Sequence, residues 1–139
     1  MYECIVNVSQ SSSYQEHSVV IDRAVHLSCH TNLTDPVKWI FMKTPTSEQH
    51  SIYSGGTLNK TFTNHLMNVT VTGVENATER QYELVINEVQ ENQTGWYVCI
   101  EDDGIGTTHP FLLTSEPVEN NGLILPFIIL LSYVAQLQL

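Results

Sequence analysis

Apolar and polar residues alternate with a period of two along several short runs of the chain. Val25, Leu27 and Cys29 alternate with Ala24, His26 and Ser28, and Val37, Trp39 and Phe41 with Lys38, Ile40 and Met42. Val69 and Val71 alternate with threonines, Tyr82, Leu84 and Ile86 with Glu83 and Val85, and Tyr97 and Cys99 with Trp96, Val98 and Ile100. Phe111 and Leu113 close the series. This period sends successive side chains to opposite faces of a strand. Asp35-Pro36, Gly55-Gly56, the stretch from Asn92 to Gly95, and Asp103-Gly104 punctuate the runs as turns. No long amphipathic helix interrupts them. Short strands at this spacing predict an all-β fold, an antiparallel sandwich or barrel.

A length of 139 residues suits one domain of roughly 100–150 residues with little left over. Apolar residues at 42% and charged residues at 14% exclude a disordered acidic chain. The net charge is −10, and the five basic residues, Arg23, Lys38, Lys43, Lys60 and Arg80, are scattered. A phosphate backbone is repelled by such a surface, which excludes nucleic acid as a partner. No polybasic patch is present for an anionic membrane surface.

Six of the ten asparagines begin an Asn-x-Ser/Thr acceptor: Asn7, Asn32, Asn59, Asn68, Asn76 and Asn92. With 25 Ser and Thr residues in the chain, chance gives about two among ten. The excess points to passage through the secretory pathway and to a glycoprotein. Met1 to Ser13 lacks the basic start and apolar run of a signal peptide, so the expected product is longer or differently started. At the other end, residues 116–122 read as a short stalk. Residues 123–139 read as a hydrophobic segment, uncharged throughout and almost wholly apolar from Leu123 to Ala135. It is shorter than the roughly 20 residues that span a bilayer. Two readings stand, a glycosylphosphatidylinositol (GPI) attachment signal and a short transmembrane segment. A terminal core helix is the third, disfavoured because Leu123 to Leu131 has no polar face.

Cys29 precedes Trp39 by ten positions, Leu84-x-Ile86-x-x-Val89 follows, and Gly95-x-Tyr97-x-Cys99 comes later. This combination, over about Val19 to Thr114, resembles the immunoglobulin superfamily, and the gap of 70 positions between the cysteines is similar to that of its V-set. The resemblance implies a V-type antiparallel β-sandwich over residues 18–115. A Cys29–Cys99 disulfide would join strands B and F, with Trp39 and Leu84 in the core and Tyr97 as the tyrosine corner. One departure is visible: Gln93 stands where the family has Asp, which leaves the usual salt bridge to strand D without its acid. Gly104-x-Gly106-Thr107 resembles the start of strand G, with an Asp103-Gly104 hairpin as the alternative. Within residues 1–17, Tyr2-x-Cys4 is similar to the F strand of a preceding immunoglobulin domain. The other reading is an ordinary N-terminal strand with a stray cysteine.

On that layout Asn32 falls near the B–C loop, Asn59 near strand C″, Asn68 on strand D, Asn76 in the D–E region and Asn92 in the E–F turn. Strands C, C′, F and G carry no acceptor. With Trp39 and Cys99 pointing inward, Ile40, Met42, Val98 and Ile100 point outward as an apolar row on the GFCC′ sheet. Exposed apolar surface marks a partner site, and the resemblance points to the same sheet; the other reading is that loops or the C′–C″ ribbon cover these residues. The expected function is cell-surface protein recognition, on the extracellular side of the membrane, with adhesion or receptor–ligand pairing as its outcome. The partner is another cell-surface or extracellular protein, or a second copy through GFCC′; the hydrophobic segment meets the membrane. The rival reading is a secreted or truncated decoy or structural module with no anchor. Glu101, Asp102 and Asp103 form an acidic tip that suits a basic partner or a divalent cation, or is a solvated turn. His26 and His30 lie about 13 Å apart along a strand, too far to share a metal. No nucleophile elbow, phosphate loop or paired-carboxylate cleft is present. No catalysis, cofactor or metal is expected.

Overall fold

The computed structural model describes residues 13–73 and 79–117. Cys4, Asn7, Asn76, most of the stalk and the whole hydrophobic segment lie outside these residues. Among the described residues nine strands form: β1 (Gln15–Val19), β2 (Val25–Thr31), β3 (Lys38–Met42), β4 (His50–Ser54), β5 (Thr57–Leu58), β6 (Met67–Thr72), β7 (Arg80–Ile86), β8 (Gly95–Ile100) and β9 (Thr108–Ser115). A one-turn helix, α1 (Lys60–Thr63), and a 3₁₀ turn (Glu91–Gln93) complete the elements used below.

The strands make two sheets, one of six in the order β1-β9-β8-β3-β4-β5 and one of three in the order β2-β7-β6. β1 lies parallel to β9, and every other pairing is antiparallel. In immunoglobulin letters the large sheet is A′GFCC′C″ and the small one is BED, the V-type arrangement with its two added strands. β1, Gln15–Val19, is the first strand of the large sheet among the described residues.

Alternation explains the layers. Along β2 the burial runs buried, exposed, buried, half-buried, buried, and β7 alternates in step with it. Leu27 faces Leu84 across that pair, and both are inaccessible. From the large sheet Trp39, Tyr97 and Leu113 enter the same core, each at 1% exposure or less. Trp39 packs at 5.6 Å from Phe111, and its indole N–H has no acceptor among the described residues. The Cys29–Cys99 disulfide crosses this core with the Cα atoms 6.5 Å apart, inside the ordinary range for such a bond. Cys99 sits beside Trp39 in register.

Among the described residues the lower end of the sandwich is tied by hydrogen bonds, with no ion pair across it. The Tyr97 hydroxyl donates to the Gln93 carbonyl at 2.6 Å, which is the tyrosine corner. Burial alone drives the Tyr97 phenol far above its ordinary value of 10.0, so it stays protonated and keeps donating. Lys43, just after β3, donates to the Glu91 carbonyl at 3.2 Å and to the Thr94 carbonyl and hydroxyl at 2.9 Å each. The Gln93 amide, in the place of the expected Asp, accepts instead from the Gln90 backbone N–H at 2.8 Å and closes its own turn. β8 starts at Gly95 with φ 139°, where a Cβ would sit 2.9 Å from the Met42 carbonyl oxygen.

Two outcomes test this frame. Cys29→Ala opens a loop of 70 positions and should remove roughly 2–5 kcal/mol, seen as loss of secreted, folded protein. Gly95→Ala combines a backbone clash with a left-handed φ and should lower stability by about 2–4 kcal/mol, read as a lower thermal midpoint.

Candidate recognition face

β3 and β8 are the central strands of the large sheet, and the register between them sets which side chains share a face. Ile40 pairs with Val98, Met42 with Trp96 and Lys38 with Ile100. Ile40, Met42, Val98 and Ile100 therefore meet as a second apolar cluster, separate from the core, with Trp96 packed against it. The expected direction of these side chains is the observed one. Their expected openness is corrected: they are 4%, 0%, 0% and 5% exposed. Trp96, itself partly exposed, packs against the cluster. Tyr14, 44% exposed, stands edge-on to Trp96 at 5.0 Å. The accessible aromatic surface of this face thus belongs to Tyr14 and Trp96 rather than to the row beneath.

One end of the face carries the β8–β9 connection. Glu101 N–H donates to the Thr107 carbonyl at 2.9 Å, and Gly106 N–H returns to the Glu101 carbonyl at 2.8 Å. The loop they close is wider than an Asp-Gly hairpin, with β9 starting at Thr108. Its tip turns on Asp102 (φ 56°) and Asp103 (φ 48°), both left-handed, a conformation that Asp tolerates better than most residues. Asp103 holds the tip in place: its N–H donates to the Pro36 carbonyl at 2.7 Å, and its carboxylate accepts from Gly55 N–H at 2.9 Å. The hydrogen-bonded Asp35 carboxyl raises the Asp102 carboxyl above its ordinary value, with desolvation adding to the effect.

Behind the tip Glu101 links three elements. The Thr31 hydroxyl at the end of β2 donates to one carboxylate oxygen at 2.7 Å. His109 Nε2 on β9 lies 2.8 Å from the other. The His109 hydrogen bond first, then that from Thr31, hold the Glu101 carboxyl below its ordinary 4.5 against an opposing desolvation. Among the described residues no group of three or more His, Cys, Asp or Glu is placed to hold a metal ion.

The described acceptor asparagines take the expected places. Asn32 follows β2, Asn59 follows β5, Asn68 is on β6, and Asn92 is in the 3₁₀ turn; all four are exposed. The Asn59 amide donates to the Ser51 carbonyl at 2.9 Å. Sequence reasoning missed Tyr14, Lys43 and His109 as structural contributors, and saw Asp103 as part of an acidic tip and a turn but not as the group that fixes it. A lone residue outside an alternating run has no pattern to single it out.

No model of a known protein family matches the chain, and no curated protein sequence matches it. Solved structures do resemble it. The ZIG-8 IG1 homodimer superposes with a TM-score of 0.58 at 15% identity, over 76% of this chain and 81% of that one. The extracellular fragment of novel immune-type receptor 11 from Ictalurus punctatus gives 0.54 at 17%, over 74% and 98%. The first immunoglobulin domain of the mouse polymeric immunoglobulin receptor gives 0.56 at 19%, over 76% and 95%. The chain has an immunoglobulin-like fold with the V-type strand arrangement. Among the described residues no helix is long and apolar enough to cross a membrane.

The Glu101 link sets a pH response. A carboxyl whose folded pKa is depressed contributes stability above its ordinary range, and that contribution is lost as pH falls through the folded value. The wild-type protein should therefore lose denaturant stability on acidification below about pH 5 more steeply than Glu101→Gln, whose hydrogen bonds do not titrate. Denaturant midpoints measured in a pH series check the difference.

Proposed function

We propose that this domain is a cell-surface recognition module whose partner docks on the outer face of the β9-β8-β3-β4 region. One observation carries the reading: the large sheet is apolar on both faces, with the core on one and the cluster of Ile40, Met42, Val98 and Ile100 on the other. An antiparallel sheet usually keeps one face wet. A second apolar layer on the outside gives a stiff floor, with Tyr14 and Trp96 as the aromatic groups a partner meets. Aromatic anchors of this kind dominate interface energies. The tip at Asp102 and Asp103, fixed to Pro36 and Gly55, supplies an acidic border.

An extracellular setting is supported by the disulfide, by the density of acceptor sites and by the receptor domains of similar fold. The bare strands agree: β3, β4, β8 and β9 contain none of the acceptor sites. The hydrophobic segment at residues 123–139 is the proposed membrane attachment. The partner is another extracellular or cell-surface protein. A second copy is the first to test, because a structure of this fold is the ZIG-8 IG1 homodimer; the net charge of −10 works against self-association at low salt.

The test uses the full chain displayed on cells, with soluble multimers of the same chain and of a library of extracellular proteins as probes. Binding should fall at least about tenfold in Tyr14→Ala and Trp96→Ala, the loss of one interface anchor. Val71→Asp on the opposite sheet, where Val71 is 45% exposed, should leave binding unchanged. Ile100→Asp and Met42→Asp place a carboxylate in a closed apolar layer, so both should reduce display as well as binding. Binding that survives both Tyr14→Ala and Trp96→Ala, but not Val71→Asp, moves the site to the other sheet.

A further inference from the structure

We propose that the sugar chain on Asn92 folds back onto its own domain and seats its first N-acetylglucosamine in the aromatic cleft at the lower end of the sandwich. This inference rests on the reading of the chain as a secreted glycoprotein. The cleft measures about 300 Å³ and lies between the two sheets, with Asn92 on its rim. That volume is at the lower end of small-molecule sites, roughly 300–1,000 Å³, and suits a single sugar ring. Phe41, Phe62, Tyr97 and His50 line it; Phe41 and Tyr97 are its buried floor, at 7% and 0% exposure, and the partly exposed Phe62 and His50 are the rings a ligand can reach. His50 stacks on Phe62 at 4.9 Å and 11°, Phe41 lies 6.0 Å from Phe62, and Phe41 lies 4.9 Å from Tyr97.

Gln93, which stands where the family has Asp, lines the same cleft; its side chain turns back to accept from the Gln90 N–H, and the partly exposed Phe62 and His50 rings stay at the open side. A sugar ring is a fitting lid. Its axial C–H groups carry slight positive charge and meet the negative faces of aromatic rings, while its hydroxyls stay in water. The Asn92 side chain is exposed, so its amide is accessible for attachment. The attachment is the ordinary one: the Asn92 amide nitrogen bonds to the anomeric carbon of a lipid-linked oligosaccharide, the lipid diphosphate leaves, and the amide loses one proton. Asn32, by contrast, sits in a loop beyond β2 and is not among the residues that line this cleft. The occupant is therefore specified by position: it is the one sugar tethered at the rim.

The experiment uses the full chain, secreted from mammalian cells behind a supplied signal peptide. Peptide mass mapping gives the occupancy of each acceptor site. An endoglycosidase then trims every glycan to one N-acetylglucosamine, and thermal midpoints are compared for wild type, Asn92→Gln and Asn32→Gln. The expected result is an occupied Asn92 and a midpoint about 4 °C lower in Asn92→Gln, with Asn32→Gln unchanged. His50→Ala, a change at a half-buried rim residue that the fold tolerates more readily than Phe62→Ala, should shrink the gap between wild type and Asn92→Gln, as expected for groups in contact. Equal midpoints for wild type and Asn92→Gln overturn the proposal, as does a bare Asn92 while other sites are occupied; both leave the glycoprotein reading intact. A chain with every site bare overturns both.

Discussion

The bond between Cys29 and Cys99 is the constraint from which the other features of this domain follow. It joins β2 of the small sheet to β8 of the large one, so it decides which side of β8 looks into the core. Side chains alternate, and a slip of one residue would exchange the two faces. Once Cys99 points inward, Tyr97 must do so too, and Trp96, Val98 and Ile100 must point away. The pairing of β8 with β3 passes the same decision to Trp39 and Phe41 on one side and Ile40 and Met42 on the other. Core and recognition face are thus two results of one parity choice.

The strands that carry this parity were legible in the sequence because their core residues recur at every second position. β2, β3, β6, β7, β8 and β9 all correspond to alternating runs. β4 did not announce itself, since Ile52 and Tyr53 are buried side by side. The register between β3 and β4 shifts at Trp39 and Ile40, and that irregularity breaks the alternation. β1 offers a single buried residue, Val19, in a polar stretch, and β5 has only two residues. Edge strands bury too little to leave a pattern. The candidate site was legible in direction but not in exposure. Alternation tells where a side chain points, whereas its accessibility depends on neighbours brought together from strands far apart in sequence.

The lower end illustrates how a missing residue is replaced. Without an Asp at position 93, three separate contacts hold the turn before β8: the Tyr97 hydroxyl on the Gln93 carbonyl, the Lys43 ammonium on Glu91 and Thr94, and the close approach of Gly95 to the Met42 carbonyl. Hydrogen bonds to a charged group are each worth about 1.5–3 kcal/mol, less where water reaches them. Lys43 is exposed, so its contribution is at the low end. The turn is held by geometry more than by charge, and the cleft beside it is lined by rings.

The parallel pairing of β1 with β9 has a mechanical meaning. Five residue pairs, from Gln15 with Phe111 to Val19 with Ser115, run in the same direction. A pull that draws the start of β1 and the end of β9 apart slides one strand along the other, so the hydrogen bonds between them share the load and must fail together. Had these strands met antiparallel, the same pull would open them one bond at a time, like a zip. The outermost strand of the large sheet therefore acts as a shear clamp between the start of β1 and the end of β9.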